Sequence, residues 1–140
     1  MNWGGKNIHK MSQDVVSDAL NQIMNARKVE KREVRINMIS KVLVNLLEIM
    51  KKYKHIEFEV HNQGENKKKP YIIVSILKLN ECKAIKPRYS VSVEEIDKYL
   101  RRFLPSRNFG VMVVSTSKGL MTHDEAVENN LGGSLIAYFY

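Results

Sequence analysis

Apolar residues recur every three or four positions in two stretches of the chain, which is the spacing of one face of an amphipathic helix. The first stretch follows Ser12 and Asp14, either of which can cap a helix by accepting hydrogen bonds from its free N–H groups. Its apolar stripe comprises Val15, Val16, Ala19, Leu20, Ile23 and Met24. The second stretch starts near Ser40 and ends in the basic run 51–54, whose cations suit the negative end of a helix dipole. The pattern predicts two helices in the first half of the chain.

Alternating and continuous apolar runs predict strands around these helices. Every second residue from 56 to 60 is apolar, which is the period of a half-buried strand. Residues 33–36 form a shorter candidate strand, and the nearly continuous apolar run 71–77 predicts a more deeply buried one. The polar residues 62–70 between the last two predict a hairpin loop.

The last third of the chain combines capping motifs with strand patterns. Ser92 and Glu95 have the spacing of a capping box, which predicts a short amphipathic helix that Pro105 ends. The apolar run 110–114 predicts a buried strand that leads into a polar turn at 115–119.

A second capping box, at Thr122–Glu125, predicts a short helix through about Asn130. Gly132 and Gly133 are predicted to close this helix, because glycine adopts the left-handed conformation freely. Residues 134–140 predict a final strand.

Together these elements predict an α+β fold of two small lobes. An amino-terminal α/β lobe, residues 12–82, is expected to place two helices on a small sheet. A carboxy-terminal lobe, residues 83–140, is expected to be mainly β with short helices, and the boundary is predicted between Asn80 and Ala84. Residues 1–11 show no periodicity and predict a flexible leader.

Charge narrows the class of partner. The 140 residues include 23 Lys and Arg against 15 Asp and Glu, a formal net charge of +8. Such a surplus favours a polyanionic partner, with nucleic acid first and an anionic membrane surface second, although a role in solubility alone stays open.

The one cysteine, Cys82, cannot form an internal disulfide, and the four histidines lack ligand spacing, so neither a metal nor a cofactor is expected. No apolar run approaches the about 20 residues of a membrane span, and the start lacks a secretory signal, so we expect a cytoplasmic protein.

The Ser-Thr-Ser cluster at 115–117 admits two interpretations. A nucleophilic serine would need a general base and an oxyanion hole; no nucleophile-elbow pattern surrounds these serines, and His123 belongs to a capping box. Alternatively, short hydroxyls in a strand-to-loop turn can contact the phosphates, riboses or bases of a nucleic acid. Lys118 would add a charge, and Gly119 would let backbone N–H groups approach an anion. On a basic chain the second interpretation is favoured.

The run Val113–Thr122, followed by Leu131-Gly132-Gly133 and a terminal strand, resembles the universal small-subunit ribosomal protein number eight family. The resemblance covers about residues 12–140. The segments 84–89, 104–110 and 123–126 resemble the archaeal and eukaryotic branch of that family, and a eukaryotic cytosolic ribosome is favoured over an archaeal one.

The resemblance implies direct binding to the central domain of small-subunit ribosomal RNA, early in assembly, with neighbouring ribosomal proteins docking later and no small-molecule substrate. In the family a Ser-Thr-Ser loop is the main RNA-reading element, and a Ser-Lys pair that opens the second helix also lies at the RNA. Ser134 departs from the family pattern, in which bacterial members have a glutamate and many others a basic residue at this position. The predicted RNA contacts are Ser115, Thr116, Ser117, Lys118, Gly119, Ser40, Lys41, Asn25, Arg27, Lys86, Arg88 and Arg107.

Two other functions stay open at this point. A free RNA-binding regulator, such as a repressor of its own message, could use the same lobes. A small enzyme built around Ser115 or Ser117 is the third possibility. Stoichiometric sedimentation with small subunits separates the first two functions, and a serine-reactive probe tests the third.

Overall fold

The computed structural model describes residues 15–61, 69–106 and 108–140. In chain order its elements are α1 (Val15–Lys28), β1 (Glu33–Ile36), α2 (Lys41–Lys52), β2 (Ile56–His61), β3 (Tyr71–Ile76), β4 (Cys82–Ala84), β5 (Ser90–Val91), a 3-10 turn (Val93–Glu95), α3 (Ile96–Phe103), β6 (Val111–Thr116), β7 (Gly119–Thr122), α4 (His123–Glu128) and β8 (Gly133–Phe139). No helix within these ranges is long and apolar enough to cross a membrane.

The first sheet has three antiparallel strands in the order β1-β3-β2. The helices α1 and α2 pack against it through the apolar stripes that the sequence predicts, and Leu20, Leu46 and Ile72 are fully buried there. Ser40 caps α2, because its Oγ accepts a hydrogen bond of 3.1 Å from the Leu43 N–H. The cap therefore fixes the start of α2 at Lys41, the residue after Ser40.

The second sheet is built around β8, which pairs antiparallel with β4, β5 and β6. Strand β7 extends it beyond β6 as the second arm of a hairpin. A bulge between Val113 and Val114 shifts the register of β6 against β8. The helices α3 and α4 contribute Ile96, Leu100 and Ala126 to a second buried cluster on one face of this sheet.

The main buried cluster joins the two sheets. Helix α1 contacts β1, β3 and β4, and α2 contacts β2 and β7. Val113 and Phe139 of the second sheet therefore lie in the same cluster as the helices and the first sheet. This arrangement confirms the predicted α+β architecture of two helices on a small sheet followed by a β-rich part. The position of the boundary between the lobes stays a prediction.

Most predicted elements are confirmed, including both capping boxes. Ser92 donates from its N–H and its Oγ to Glu95 Oε1, at 2.9 and 3.2 Å. In the second box Thr122 donates to Glu125 Oε1 at 3.0 Å, and the Glu125 N–H donates back to Thr122 Oγ1 at 3.2 Å. The proposed caps of α1, the leader 1–11 and most of the 62–70 loop lie outside the described residues.

Three expectations at the carboxy-terminal end are wrong. Ser115 and Thr116 belong to strand β6, so the turn consists of Ser117 and Lys118 alone. The helix ends at Glu128 rather than near Asn130. Asn130 itself takes the left-handed conformation, with φ +57°, since its short polar side chain tolerates this region. Gly132 and Gly133 do not adopt the left-handed conformation, so they do not close the helix as predicted.

Gly132 and Gly133 let neighbouring strands approach closely. A Cβ at Gly132 would lie 2.5 Å from the Val91 carbonyl oxygen, and one at Gly133 would overlap the Ser115 carbonyl oxygen. These oxygens belong to backbone in the sheet, so they cannot move aside as a flexible side chain could. The glycine pair is thus required where β8 enters between β5 and β6.

We predict that Gly133→Ala lowers the free energy of unfolding by about 1–3 kcal/mol, because the added methyl overpacks a rigid backbone contact. Urea denaturation followed by circular dichroism measures the change. The control is Ser134→Ala at the next residue, which adds no atoms and should shift the midpoint far less. Equal midpoints for Gly133→Ala and the wild type would contradict the prediction.

Candidate nucleic-acid interface

The β6–β7 hairpin presents the predicted hydroxyl cluster in two different settings. Ser117 and Lys118 form the turn and are exposed. Gly119 follows with φ +107°, a left-handed angle that glycine adopts without strain, and this residue pairs with Thr116. The turn therefore projects one hydroxyl and one ammonium group into solvent.

Thr116 holds the turn in shape. Its Oγ1 donates to the Gly119 carbonyl oxygen at 3.0 Å and accepts from the Lys118 N–H at 3.1 Å. A hydroxyl has one proton, so while these bonds persist Thr116 can accept from a ligand but cannot donate to a phosphate. Thr116 thus differs from the serines on either side of it.

Ser115 belongs to a row of hydroxyls that crosses the sheet. It pairs with Ser134 on β8, and Ser134 pairs in turn with Ser90 on β5. Directly opposite residues of antiparallel strands point to the same face, with Cβ atoms about 4.5–5.5 Å apart. Ser90 is not among the residues predicted from the sequence, because the row exists only in this register.

A groove of about 600 Å³ collects a second set of predicted residues. Ser40 lines it from the start of α2, and Lys86 and Arg88 line it from the connection between β4 and β5. Lys41 is the exposed first residue of α2, where the free N–H groups and the helix dipole favour an anion. Ser17 on α1 also lines the groove and was not predicted; its place on the polar side of the α1 stripe is the one signal that could have found it.

Pairing places the groove and the hairpin at the same end of the second sheet. At the opposite end, Tyr53 and His55, which follow α2, contact the ring of Phe139 with centroids 6.1 and 5.2 Å apart. Helix α2 also contacts β7, so its first residues point back toward the hairpin. The connection that carries Lys86 and Arg88 is held along β8, since Ile85 donates to Ile136 and Leu135 donates to Tyr89, both at 2.9 Å. We call this region the hairpin-end surface; it comprises Ser40, Lys41, Lys86, Arg88, Ser90, Ser134 and residues 115–119.

Two predicted contacts lie away from this surface. Asn25 and Arg27 are exposed in the last turns of α1, whose first residues line the groove. The Arg27 Nε donates to the Leu79 carbonyl oxygen, beside the end of β8, where Asn80 donates to the Tyr140 carbonyl oxygen. They therefore lie at the far end of the molecule, and Arg107 is outside the described residues.

Comparison with known proteins agrees with the resemblance seen in the sequence. The model of the family described as ribosomal protein S8 matches residues 14–140. A protein named small ribosomal subunit protein uS8 from Archaeoglobus fulgidus is 42% identical over 132 residues, which is 93% of this chain and 100% of that protein. A protein of the same name from Caldivirga maquilingensis is 40% identical over 128 residues, covering 91% of this chain and 97% of that protein. The chain belongs to the ribosomal protein S8 family.

The predicted family is confirmed, and the matched residues agree with the predicted extent of about 12–140. Both relatives are archaeal, in keeping with the predicted archaeal and eukaryotic branch of the S8 family. The preference for a eukaryotic ribosome stays a prediction.

His123 has a structural task in this S8-family chain. Its ring is buried, and Nδ1 accepts a hydrogen bond of 3.1 Å from the Met112 N–H of β6. Ser115 lies three residues further along β6, which corresponds to about 10 Å at roughly 3.3 Å per residue, well beyond the reach of the imidazole. The ring tethers α4 to the sheet and is not placed to activate the serines of the hairpin. Within the described ranges no His, Cys, Asp and Glu group could hold a metal ion.

Burial lowers the pKa of His123 below its ordinary value of 6.5, an effect that the nearby Asp124 carboxylate partly offsets. As the pH falls, the unfolded chain therefore binds a proton at this histidine at a higher pH than the folded chain does. We predict that its stabilising contribution is complete above about pH 6.5 and is lost as the pH falls below that value.

Urea midpoints at pH 7.5 and 5.5 measure this loss. His123→Asn, whose side-chain oxygen can still accept from Met112, should show a smaller difference between the two pH values than the wild type does. The reason is that asparagine does not titrate. An identical pH difference in both proteins would contradict the assignment.

Proposed function

We propose that this chain is a structural component of the small ribosomal subunit and binds ribosomal RNA directly through its hairpin-end surface. The observation that supports this most is the convergence of two sequence-distant groups, the serine row with its turn and the basic groove, at one end of the sheet. The relatives are named as small ribosomal subunit proteins, and the resemblance adds the central domain as the RNA site and a role in assembly. Neighbouring ribosomal proteins are its further partners, and its location is the cytoplasm.

The two groups would divide the recognition between them. Lys41, Lys86 and Arg88 are exposed cations suited to phosphates, which fix the position of a protein on its RNA. Ser115 and Ser117 carry uncharged hydroxyls that can donate and accept at short range, so they suit riboses and base edges. Lys118 adds a charge next to these hydroxyls. On this proposal the cations supply affinity and the serines supply selectivity.

The other functions have less support. A free regulator would use the same surface, but family and relatives alike favour the ribosomal role. The S8 family is one of structural ribosomal proteins, not of enzymes. Catalysis at Ser115 would also need a base, and His123 is committed to Met112. We therefore propose that the chain catalyses no reaction.

We predict that the double variant Ser115→Ala and Ser117→Ala binds its central-domain RNA roughly 30-fold more weakly than the wild type, since each lost hydrogen bond costs about 1 kcal/mol. Filter binding or calorimetry with the purified RNA fragment measures the affinity. Thr116 is left intact because its hydroxyl holds the turn. The control Ser75→Ala removes a half-buried hydroxyl from the other sheet. Unchanged affinity in a folded double variant would contradict the proposed recognition surface.

We also predict that Lys41→Ala reduces the slope of log affinity against log salt by about 1, because one phosphate contact no longer releases counterions. Binding measured from low to moderate salt gives the slope. The matched control is Lys98→Ala, which removes an exposed lysine from α3, away from the groove. A slope that stays the same in Lys41→Ala, or falls equally in Lys98→Ala, would remove Lys41 from the interface.

A further inference from the structure

A pocket of about 430 Å³ lies at the end of the molecule opposite the hairpin-end surface. One wall is formed by the residues that follow α2, and the other by the segment that leads into β6. The volume is within the range of roughly 300–1,000 Å³ that is typical of small-molecule sites. Strand β6 spans the distance between this pocket and the hairpin, about 20 Å at roughly 3.3 Å per residue. The proposed function of the hairpin-end surface does not use this pocket.

Two aromatic rings on its walls are unusually exposed. Tyr53 is 41% exposed and Phe109 is 49% exposed. Each ring is supported from behind: Tyr53 meets Phe139 edge-on with centroids 6.1 Å apart, and Phe109 meets Tyr140 at 5.7 Å. Exposed rings that packing holds in place are platforms on which nucleic-acid bases stack.

Position 110, directly after Phe109, requires glycine. Its φ is +110°, and a Cβ there would come within 2.9 Å of both Leu104 Cδ2 and Tyr140 Cβ. The backbone can therefore make this close turn only with glycine. Phe109 therefore directly precedes a backbone turn that requires glycine, and its ring packs against Tyr140.

The polar groups of the pocket match the parts of a nucleotide. Lys54 and Lys78 supply two ammonium groups for phosphates. A hydrogen bond of 2.6 Å between His55 Nδ1 and the Lys78 carbonyl oxygen holds the backbone at Lys78. Asn80 and Asn108 supply amides that can donate to and accept from a base edge. The Asp124 carboxylate is an acceptor for an exocyclic amino group.

Lys54 occupies a backbone position that favours glycine. It follows the end of α2 with φ +64°, while the His55 N–H donates to the Met50 carbonyl oxygen at 3.1 Å, as in a Schellman motif. Glycine is the usual residue at such a position because a side chain is strained there. Lysine at this position is therefore less stable than glycine would be, so Lys54→Gly separates the effect of the cation on binding from its effect on folding.

We propose that this pocket binds an unstacked nucleotide of single-stranded RNA, with the base against Phe109 and Tyr53 and the flanking phosphates at Lys54 and Lys78. The choice of RNA rather than another anion rests on the proposed function, but the residues are distinct from those of the hairpin-end surface. The chain would then hold two RNA segments at opposite ends of one rigid sheet.

The test uses the full chain with Ser115→Ala and Ser117→Ala, so that the hairpin-end surface is weakened, and ribohexanucleotides of uridine, cytidine and adenosine as probes. Fluorescence anisotropy should show saturable binding of at least one hexamer. Phe109→Ala and Tyr53→Ala should each weaken it about tenfold, since stacking on an aromatic ring dominates single-strand binding. Val127→Ala, which trims another exposed apolar residue, is the control and should leave it unchanged.

Lys54→Gly is the sharpest variant. It should raise the melting temperature, because glycine relieves the left-handed strain, and at the same time weaken hexamer binding and flatten its salt dependence. Lys98→Ala should change neither property. A lysine with a purely structural role could not produce opposite effects on stability and binding.

Several outcomes would overturn the proposal. These are the absence of saturable hexamer binding, binding that survives both Phe109→Ala and Lys54→Gly, and tighter binding of an oligoglutamate peptide than of any hexamer at this pocket. Binding of the structured central-domain RNA is measured separately. Loss of hexamer binding with intact binding of the structured RNA refutes the pocket alone. A different result would separate the two proposals in the other direction. If hexamer binding depends on the pocket residues but binding of the structured RNA is unchanged in the Ser115→Ala and Ser117→Ala variant, the pocket proposal is supported and the role of the hairpin-end surface is refuted.

Discussion

The register of β8 against β6 is the constraint on which the rest of the structure depends. Strand β8 pairs with β4, β5 and β6, so the whole second sheet takes its alignment from this one strand. A slip by one residue would exchange the faces of every side chain on β8. Phe139 would leave the main cluster, and the hydroxyl of Ser134 would leave the row of Ser90 and Ser115. The fold and the candidate interface are thus fixed by the same backbone hydrogen bonds.

Much of the fold follows from periodicity in the sequence. The stripes of α1 and α2, the alternation of β2 and the two capping boxes each carry their own local signal, and each is found where the pattern predicts it. The strands β4, β5 and β7 contain only three, two and four residues, too few to show a period. These short strands form because a longer neighbouring strand, β8 or β6, offers backbone N–H and C=O groups to pair with. The sequence of the short strand itself does not show that such a neighbour is present.

The candidate interface is predictable only in part, for the same reason. Motif and resemblance identify the hairpin and Ser40, but the serine row requires the register and the groove requires the packing of α1, α2 and the β4–β5 connection. The sequence also presents the hydroxyls at 115–117 as equivalent, whereas the structure gives Thr116 an internal task. The basic run at 51–54 also contains two kinds of lysine. Lys51 Nζ lies 3.5 Å from Glu57 Oε1, whereas Lys54 lines the pocket of about 430 Å³ opposite the hairpin-end surface.

If the hairpin-end surface binds RNA as proposed, the two bonds of Thr116 have a consequence for the rate of association. A loose hairpin would have to find its bound shape in each encounter, and ordering it would consume part of the interaction free energy. Here the strand pairing and the threonine hydroxyl settle the shape of the loop in advance. On the proposed function, an RNA would meet a loop that already has its bound shape. A larger fraction of encounters would then lead to binding, and less of the interaction free energy would be spent on ordering the loop.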